Sequence, residues 1–434
     1  MKKVLCLFDY GKECFTGYAT VSRNIIKELK KKFGDDLKMD ICALNYFGEP
    51  YEEYNGTIRV ASAKLVDNKH DDFGRLFFIE CLRDNEYDAI FIIGDLGSIA
   101  PIIPLIKMTE VIKRRLGHKT FKKIIYFPVD GYIHEKVKNL EYDKEKEKNL
   151  PEWQRDFFNE HIRQLDELTY FDTIVTYTEY AKKEICKIKP SLRDRIKVLY
   201  HGINTKDFFP IDPKEREKFR KAYFGENNCQ KFIISIINRN QPRKDIPTAI
   251  YSFIQARKIW DKDNLPKPFL YLHMDKYDPN GWNLELVMQQ TGLVENKDYQ
   301  FSIGQTDVEI LNLIYNASDL YVSTARGGGW ELSVTEAMAS KVPVICPNHT
   351  SMGEIGADGR AFLLEEFLPI VDVTDNTFRS MCHYEEVAEN IVSATEKIVA
   401  KADEFLPTEK AYKWVTKYTW ENVCKEWIKI FEDI

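Results

Sequence analysis

Between Ser323 and Asn348 the chain reads STARGGGWELSVTEAMASKVPVICPN. Three successive glycines run into Trp330 and Glu331, and a second carboxylate, Glu336, follows in a stretch with helical character. Glycines leave backbone amides free to approach an anion, and a helix N-terminus adds unpaired N–H groups and partial positive charge. The stretch therefore has the makings of a phosphate cradle. The ligand-free alternative is a tight strand-to-helix turn, which needs fewer glycines than three. A second group, NRNQPRKDIPTAIYSF, places Arg239, Arg243 and Lys244 directly after the apolar run FIISII. Fixed cations facing such a cradle suit a diphosphate, whose charge they would stabilise as it leaves a carbon atom. Taken alone, a basic turn is as readily a solvated one.

The elements that must carry these residues follow from the apolar pattern. Short apolar, largely β-branched runs alternate with longer segments of helical spacing. In the first half the strand candidates are VLCLF, MDICAL, TIRVAS, AIFII, KIIYF, TIVTY and IKVLY. In the second half they are FIISII, FLYLHM, YQFSI, LYVST, VPVIC and AFLL. Val21, Ile25, Ile26, Leu29 and Phe33 mark one face of an intervening helix. This alternation predicts parallel sheets with covering helices, and runs that are apolar throughout predict strands buried on both faces. The glycine stretch and the basic turn then both lie beyond strand carboxyl ends, where open α/β sheets bind ligands. The rhythm breaks near residues 208 to 230, which are read as an inter-domain linker.

Bulk properties narrow the function classes. A chain of 434 residues, 44% hydrophobic and 13% aromatic, has material for two cores. Its net charge of −6 provides no global field for nucleic acid or membrane. Nine cysteines without a C-x-x-C pair read as reduced thiols of a cytoplasmic protein. No run approaches the roughly 18 apolar residues of a membrane span. The opening MKKVLCLFDYGKE is too short in apolar residues for a signal-peptide core and reads as a first strand. Residues 134–165, heavily charged with mixed sign, read as a solvated helical excursion, with an acceptor-recognition insert as the alternative. Lys107, Lys113, Arg114, Arg115, Lys119, Lys122 and Lys123 crowd residues 107–123. They form either the wet face of a helix or a patch for an anionic acceptor or a membrane surface.

The blocks NRNQPRKDIPTAIYSF, YNASDLYVSTARGGGWELSVTEAMASKVPVI and VLYHGINTKDFFP resemble the signatures of family-4 retaining glycosyltransferases. GYATVSRNIIKEL, from Gly17 and Tyr18 onward, resembles their N-terminal glycine loop and first helix, on the acceptor side. The resemblance covers most of the chain in order. It implies an α/β protein of the GT-B fold, two Rossmann-like doubly wound domains facing across a cleft. The acceptor domain would span residues 1–207 and the nucleotide-sugar donor domain 208–417, with a last helix at 418–434 packing back on the first. Arg239 and Lys244 match the family's diphosphate-binding pair, and Gly329 and Trp330 match the loop that meets phosphates and sugar. Glu336 matches the second glutamate of the E-x7-E motif, which holds the ribose hydroxyls. The first motif glutamate falls at Gly328, a departure; the nearest carboxylate, Glu331, stands where the family usually has glycine. A glutamate so close to a phosphate cradle must turn toward sugar hydroxyls or a cation such as Arg239 or Arg326, because like charges repel.

The resemblance implies a metal-independent retaining transferase that uses a nucleotide-diphosphate sugar and an unidentified hydroxyl acceptor, with no stable protein partner. The alternatives are a nucleotide-sugar-binding protein without catalysis and a glycosyltransferase acting on modified nucleic acid. Asp130, closing the strand IIYFPVD, is a candidate to face the reacting sugar or to grip the acceptor; otherwise it caps a turn. Asp95 ends FIIGD in the same manner. His134 has no distinguishing position, and His201 in YHGIN reads as structural. Asp261 and Asp263 form an Asp-x-Asp pair in a charged loop, off any strand end, and read as surface. No His/Cys cluster has zinc spacing, and the expected metal ligands are none.

Overall fold

We describe the protein from a computed structural model, in which residues 1–63, 65–66, 69–71, 73–132, 164–260, 265–302, 306–372, 377–402 and 406–434 are described. By contacts the chain forms two compact units. One comprises Met1–Val129, Ile133–Gly202 and Trp420–Ile434; the other comprises Asp130–Tyr132 and Ile203–Thr419.

In the first unit the strands are β1 (Lys2–Asp9), β2 (Leu37–Leu44), β3 (Tyr51–Glu53), β4 (Ile58–Ser62), a short ribbon of β5 (Leu65–Val66) and β6 (Lys69–His70), β7 (Ala89–Ile93), β8 (Lys122–Phe127), β9 (Thr173–Thr176) and β10 (Ile196–Val198). Eight of them form one sheet in the order β10-β9-β8-β7-β1-β2-β4-β3. All its pairings are parallel except β3 with β4. β7 is buried along its whole length, as the unbroken run AIFII requires of a strand covered on both faces. Helix Gly17–Phe33 begins at Thr16, whose hydroxyl accepts from the Ala19 amide at 3.1 Å, and buries Val21, Ile25, Ile26 and Leu29. The last helix, Trp420–Glu432, lies along it and drives Trp427 and Phe431 against Phe91, with ring centroids 5.2 and 5.5 Å apart.

The second unit holds β11 (Phe232–Ile237), β12 (Pro268–His273), β13 (Tyr299–Phe301), β14 (Leu320–Val322), β15 (Val344–Pro347), β16 (Phe362–Leu364), and an antiparallel hairpin of β17 (Phe367–Asp372) and β18 (Thr377–Cys382). The six-stranded parallel sheet runs β13-β12-β11-β14-β15-β16. The chain winds outward from β11 to β13, then restarts at β14 on the other side of β11. The turn after β11 and the turn after β14 therefore flank the topological switch point, the place where open sheets leave a crevice for ligands.

Most of the stretch expected to be an inter-domain linker belongs instead to the second unit. Residues Pro213–Phe224 are a helix of the second unit, capped by Asp212, whose carboxylate accepts from Lys214 N at 2.9 Å. Its charged sequence conceals it because the anchoring is ionic as well as apolar. Arg216 and Arg220 both reach Asp319, at 2.5 and 3.1 Å, while Phe224 is buried.

Candidate functional site

β14 ends at Val322, and the chain stays buried or half-buried from Ser323 to Glu331 before helix Leu332–Ala339 begins. None of Gly327, Gly328 and Gly329 has a positive φ, so handedness is not what calls for glycine here. Close approach is. A Cβ on Gly327 would lie 2.0 Å from the carbonyl oxygen of Asp130, and one on Gly328 would lie 2.2 Å from Oε1 of Glu331. The Glu331 carboxylate thus fills the space in which a side chain at position 328 would begin.

That carboxylate is held by Lys244, whose Nζ donates to Oε1 and Oε2 at 2.6 and 2.5 Å. The two side chains are only 7% and 2% exposed, so this is a buried ion pair. Arg243 approaches the same oxygen at 3.6 Å and donates weakly to the Gly327 carbonyl at 3.4 Å. Burial, with the nearby Arg243 charge, brings the Lys244 ammonium down to about 8 despite the opposing pull of Glu331. The two loops are sewn together around the pair. Arg326 N donates to the Arg243 carbonyl at 2.8 Å, Arg326 Nη2 to Asp245 at 3.1 Å, and Thr324 Oγ1 to the Asp245 carbonyl at 3.0 Å. Gly328 N also donates to Thr350 Oγ1 at 3.3 Å. Thr350 has φ +52°, an uncommon backbone for a β-branched residue, and it directly supports the glycine loop.

Glu336 projects from the second turn of the helix and accepts from the Tyr315 hydroxyl at 2.7 Å. Burial raises its carboxyl to about 7; the Tyr315 hydrogen bond opposes this and the Asp207 charge adds to it. Trp330 is half-buried, its ring stacked on Trp414 with centroids 6.5 Å apart. Gly328, Gly329, Trp330, Glu331 and Glu336 thereby lie along one loop and helix, and Lys244 reaches Glu331 from the turn after β11. Arg239 is placed differently: its Nε donates to Asp278 at 2.6 Å, and its side chain is 53% exposed. The loop after β12 brings Asp278 there by docking on Asn240, which exchanges hydrogen bonds with the backbone of Trp282.

Asp130 groups with the second unit. Its carboxylate accepts from Arg379 Nη2 at 3.2 Å, and Arg379, 1% exposed, also pairs with Asp372 at 3.2 Å. Sequence reasoning missed Arg379. An arginine inside the β-like run TFRSMC was the available signal. In the first unit Gly17 opens its helix beside Tyr18, and the capping Thr16 donates to Asp9 Oδ2 at 2.5 Å. Asn45 adds a bond to Asp9 at 2.9 Å. Asp95 caps the short helix Leu96–Ile99 by accepting from Ser98 N at 2.9 Å. His201 is buried against Tyr177, 4.2 Å between centroids, and burial lowers its imidazole to about 3. Much of the 107–123 patch is paired: Lys107 with Glu167, Lys113 with Glu86, Arg114 with Glu110, and Lys123 with Glu110 and Asp172. His134, Asp261, Asp263 and the charged stretch up to residue 163 lie outside the described residues. Among the described residues no three His, Cys, Asp or Glu side chains could together hold a metal ion.

A family model described as glycosyl transferases group 1 matches residues 286–370, which span the glycine loop and both glutamates. Over 275 residues the chain is 26% identical to a probable sucrose-phosphate synthase of Thermosipho melanesiensis, covering 61% of this chain and 55% of that protein. It is 21% identical over 262 residues to an uncharacterised glycosyltransferase of Methanocaldococcus jannaschii, covering 60% and 59% respectively. The matches thus span little more than half the length of these curated relatives. Among solved structures, Anabaena HepE in complex with UDP-glucose superposes with a TM-score of 0.64 at 13% identity, covering 100% of both chains. Sucrose-phosphate synthase from Thermosynechococcus elongatus gives 0.66 at 16% identity, covering 100% of this chain and 99% of that one. Over residues 286–370 the chain is thus similar to the group 1 glycosyl transferases. It has the GT-B fold of two parallel-sheet α/β domains. The matched segment carries Gly328, Glu331 and Glu336, while Lys244 comes to Glu331 from the turn after β11.

Proposed function

We propose that the protein transfers a sugar from a nucleotide-diphosphate sugar to an acceptor hydroxyl, with retention and without a metal ion. The observation that carries this reading is the buried Lys244–Glu331 pair lodged against Gly328 at the start of helix Leu332–Ala339. The diphosphate lies against the glycine loop and the helix N-terminus, facing Lys244 and Arg243. As the bond from the anomeric carbon to the phosphate oxygen breaks, its electron pair passes to that oxygen, and the two cations stabilise the charge. By resemblance to the family, the departing phosphate takes the proton of the incoming hydroxyl on the same face. Glu331, held in place by Lys244, accepts hydrogen bonds from the sugar hydroxyls. Glu336 accepts from the ribose. Asp130, aligned by Arg379, and the Gly17–Tyr18 turn serve the acceptor side. HepE was solved with UDP-glucose, so UDP-sugars are the first donors to test. The test is a screen of nucleotide sugars for thermal stabilisation followed by product analysis. A ligand at 100 times its dissociation constant adds about 2.7 kcal/mol. No stabilisation by any nucleotide sugar, and no transfer, would overturn the reading.

The same roles predict a narrow pH window. The ionised form of Glu336 is lost as pH falls through about 7. The charged form of Lys244 is lost as pH rises through about 8. Nucleoside-diphosphate affinity is therefore expected to peak between these values and fall by about tenfold per pH unit on either side. Calorimetric titration across the neutral range checks this, and a flat profile would remove both groups from the nucleotide site.

A further inference from the structure

Helix Ile103–Arg115 buries Ile103, Ile106, Thr109, Glu110 and Lys113 in the first unit. Its opposite face is apolar where a wet face was one expectation. Met108 is 56% exposed, Val111 47%, Ile112 46%, and Leu116, just past its end, 70%. At 3.6 residues per turn these four fall within an arc of about 140°, with Arg115 inside it. Lys119 follows on the same exposed segment. Among the described residues Arg115 and Lys119 make no ion pair, whereas the neighbouring Lys107, Lys113 and Lys123 do. Among the described residues Glu167, Glu86 and Asp172 are thus engaged with those lysines.

We propose that this face is a membrane-docking surface for an anionic bilayer. An interfacial helix takes this form: apolar tips enter the acyl boundary while guanidinium and ammonium heads stay at the lipid phosphates. A second copy of the chain fits poorly. A two-fold contact on this face would set Arg115 against its symmetry mate, and four side chains supply little of the area that a stable dimer buries. The protein would then act at a lipid surface while no helix among the described residues is long and apolar enough to cross one.

The test is flotation of the full chain with vesicles of phosphatidylcholine alone and of phosphatidylcholine mixed with phosphatidylglycerol. Binding is expected only to the mixed vesicles, and it should weaken with salt. M108Q together with L116Q should reduce partitioning by at least about tenfold. R115E together with K119E should abolish the preference for anionic lipid. These are exposed positions of the first unit, outside the residues assigned to donor and acceptor, so thermal stability should be unchanged and serves as the folding control. Three results would overturn the proposal: no binding to mixed vesicles, equal binding by both variants, or a solution dimer that the apolar variant dissolves.

Discussion

Replacing Glu331 by glutamine is expected to lower the sugar-transfer rate on the order of 10- to 100-fold while nucleoside-diphosphate binding survives. A charge-assisted hydrogen bond contributes roughly 1.5–3 kcal/mol, and this one is assigned to the sugar rather than to the nucleotide. The geometry provides a sharper form of the same test. Because Glu331 Oε1 lies 2.2 Å from where a Cβ of Gly328 would sit, G328A should push the carboxylate off Lys244 and cost activity although it removes no functional group. The exchange of the two residues, G328E with E331G, should offer Lys244 a carboxylate from the other side. Position 328 has no positive φ to forbid a side chain. Activity of the double variant well above that of E331G alone is the expected result. Full activity in E331Q, or no recovery in the exchange, would show that the sugar is held by other groups.

Lys244→Ala is expected to be the most damaging single change at the site. It removes a cation from the leaving group, which should cost at least about 100-fold in turnover. It also strands Glu331, 2% exposed, without its principal partner. Breaking a buried ion pair from one side costs about 3–5 kcal/mol of stability. The two effects separate in a double variant. K244M with E331Q leaves no unpaired charge, so stability should return close to the parent value while transfer stays lost. Urea or thermal unfolding of the three proteins measures the first effect, and product formation measures the second. A stable K244A protein, or an active double variant, would remove Lys244 from the role assigned to it.

Much of the architecture was legible because its signals are local. The strand runs AIFII, KIIYF and FIISII are continuous apolar stretches that only a doubly covered parallel sheet accommodates, and they form β7, β8 and β11. The hairpin of β17 and β18 was not read. Its strands carry Pro369 and Arg379 and bury few residues, so they lack the apolar continuity that marked the others. The helix Pro213–Phe224 was mistaken for a linker because its charges look solvated until Asp319, about a hundred residues away, receives two of them.

The sequence by itself determined that a glycine loop, a basic turn and two glutamates stand at strand ends of an α/β protein. Residue type and apolar periodicity act over a few neighbours, and that suffices for such a conclusion. Which cation meets which carboxylate was decided only by the tertiary structure. Lys244 reaches Glu331 across 87 residues because β11 and β14 are adjacent at the switch point. Arg239, five positions earlier, is drawn instead to Asp278 by the loop that docks on Asn240. Side-chain pairing depends on the register of strands distant in sequence and on the space left between them. For the same reason, the sequence left open whether Glu331 stands in for a carboxylate at position 328, and only the fold sets its Oε1 2.2 Å from where a Cβ of Gly328 would lie.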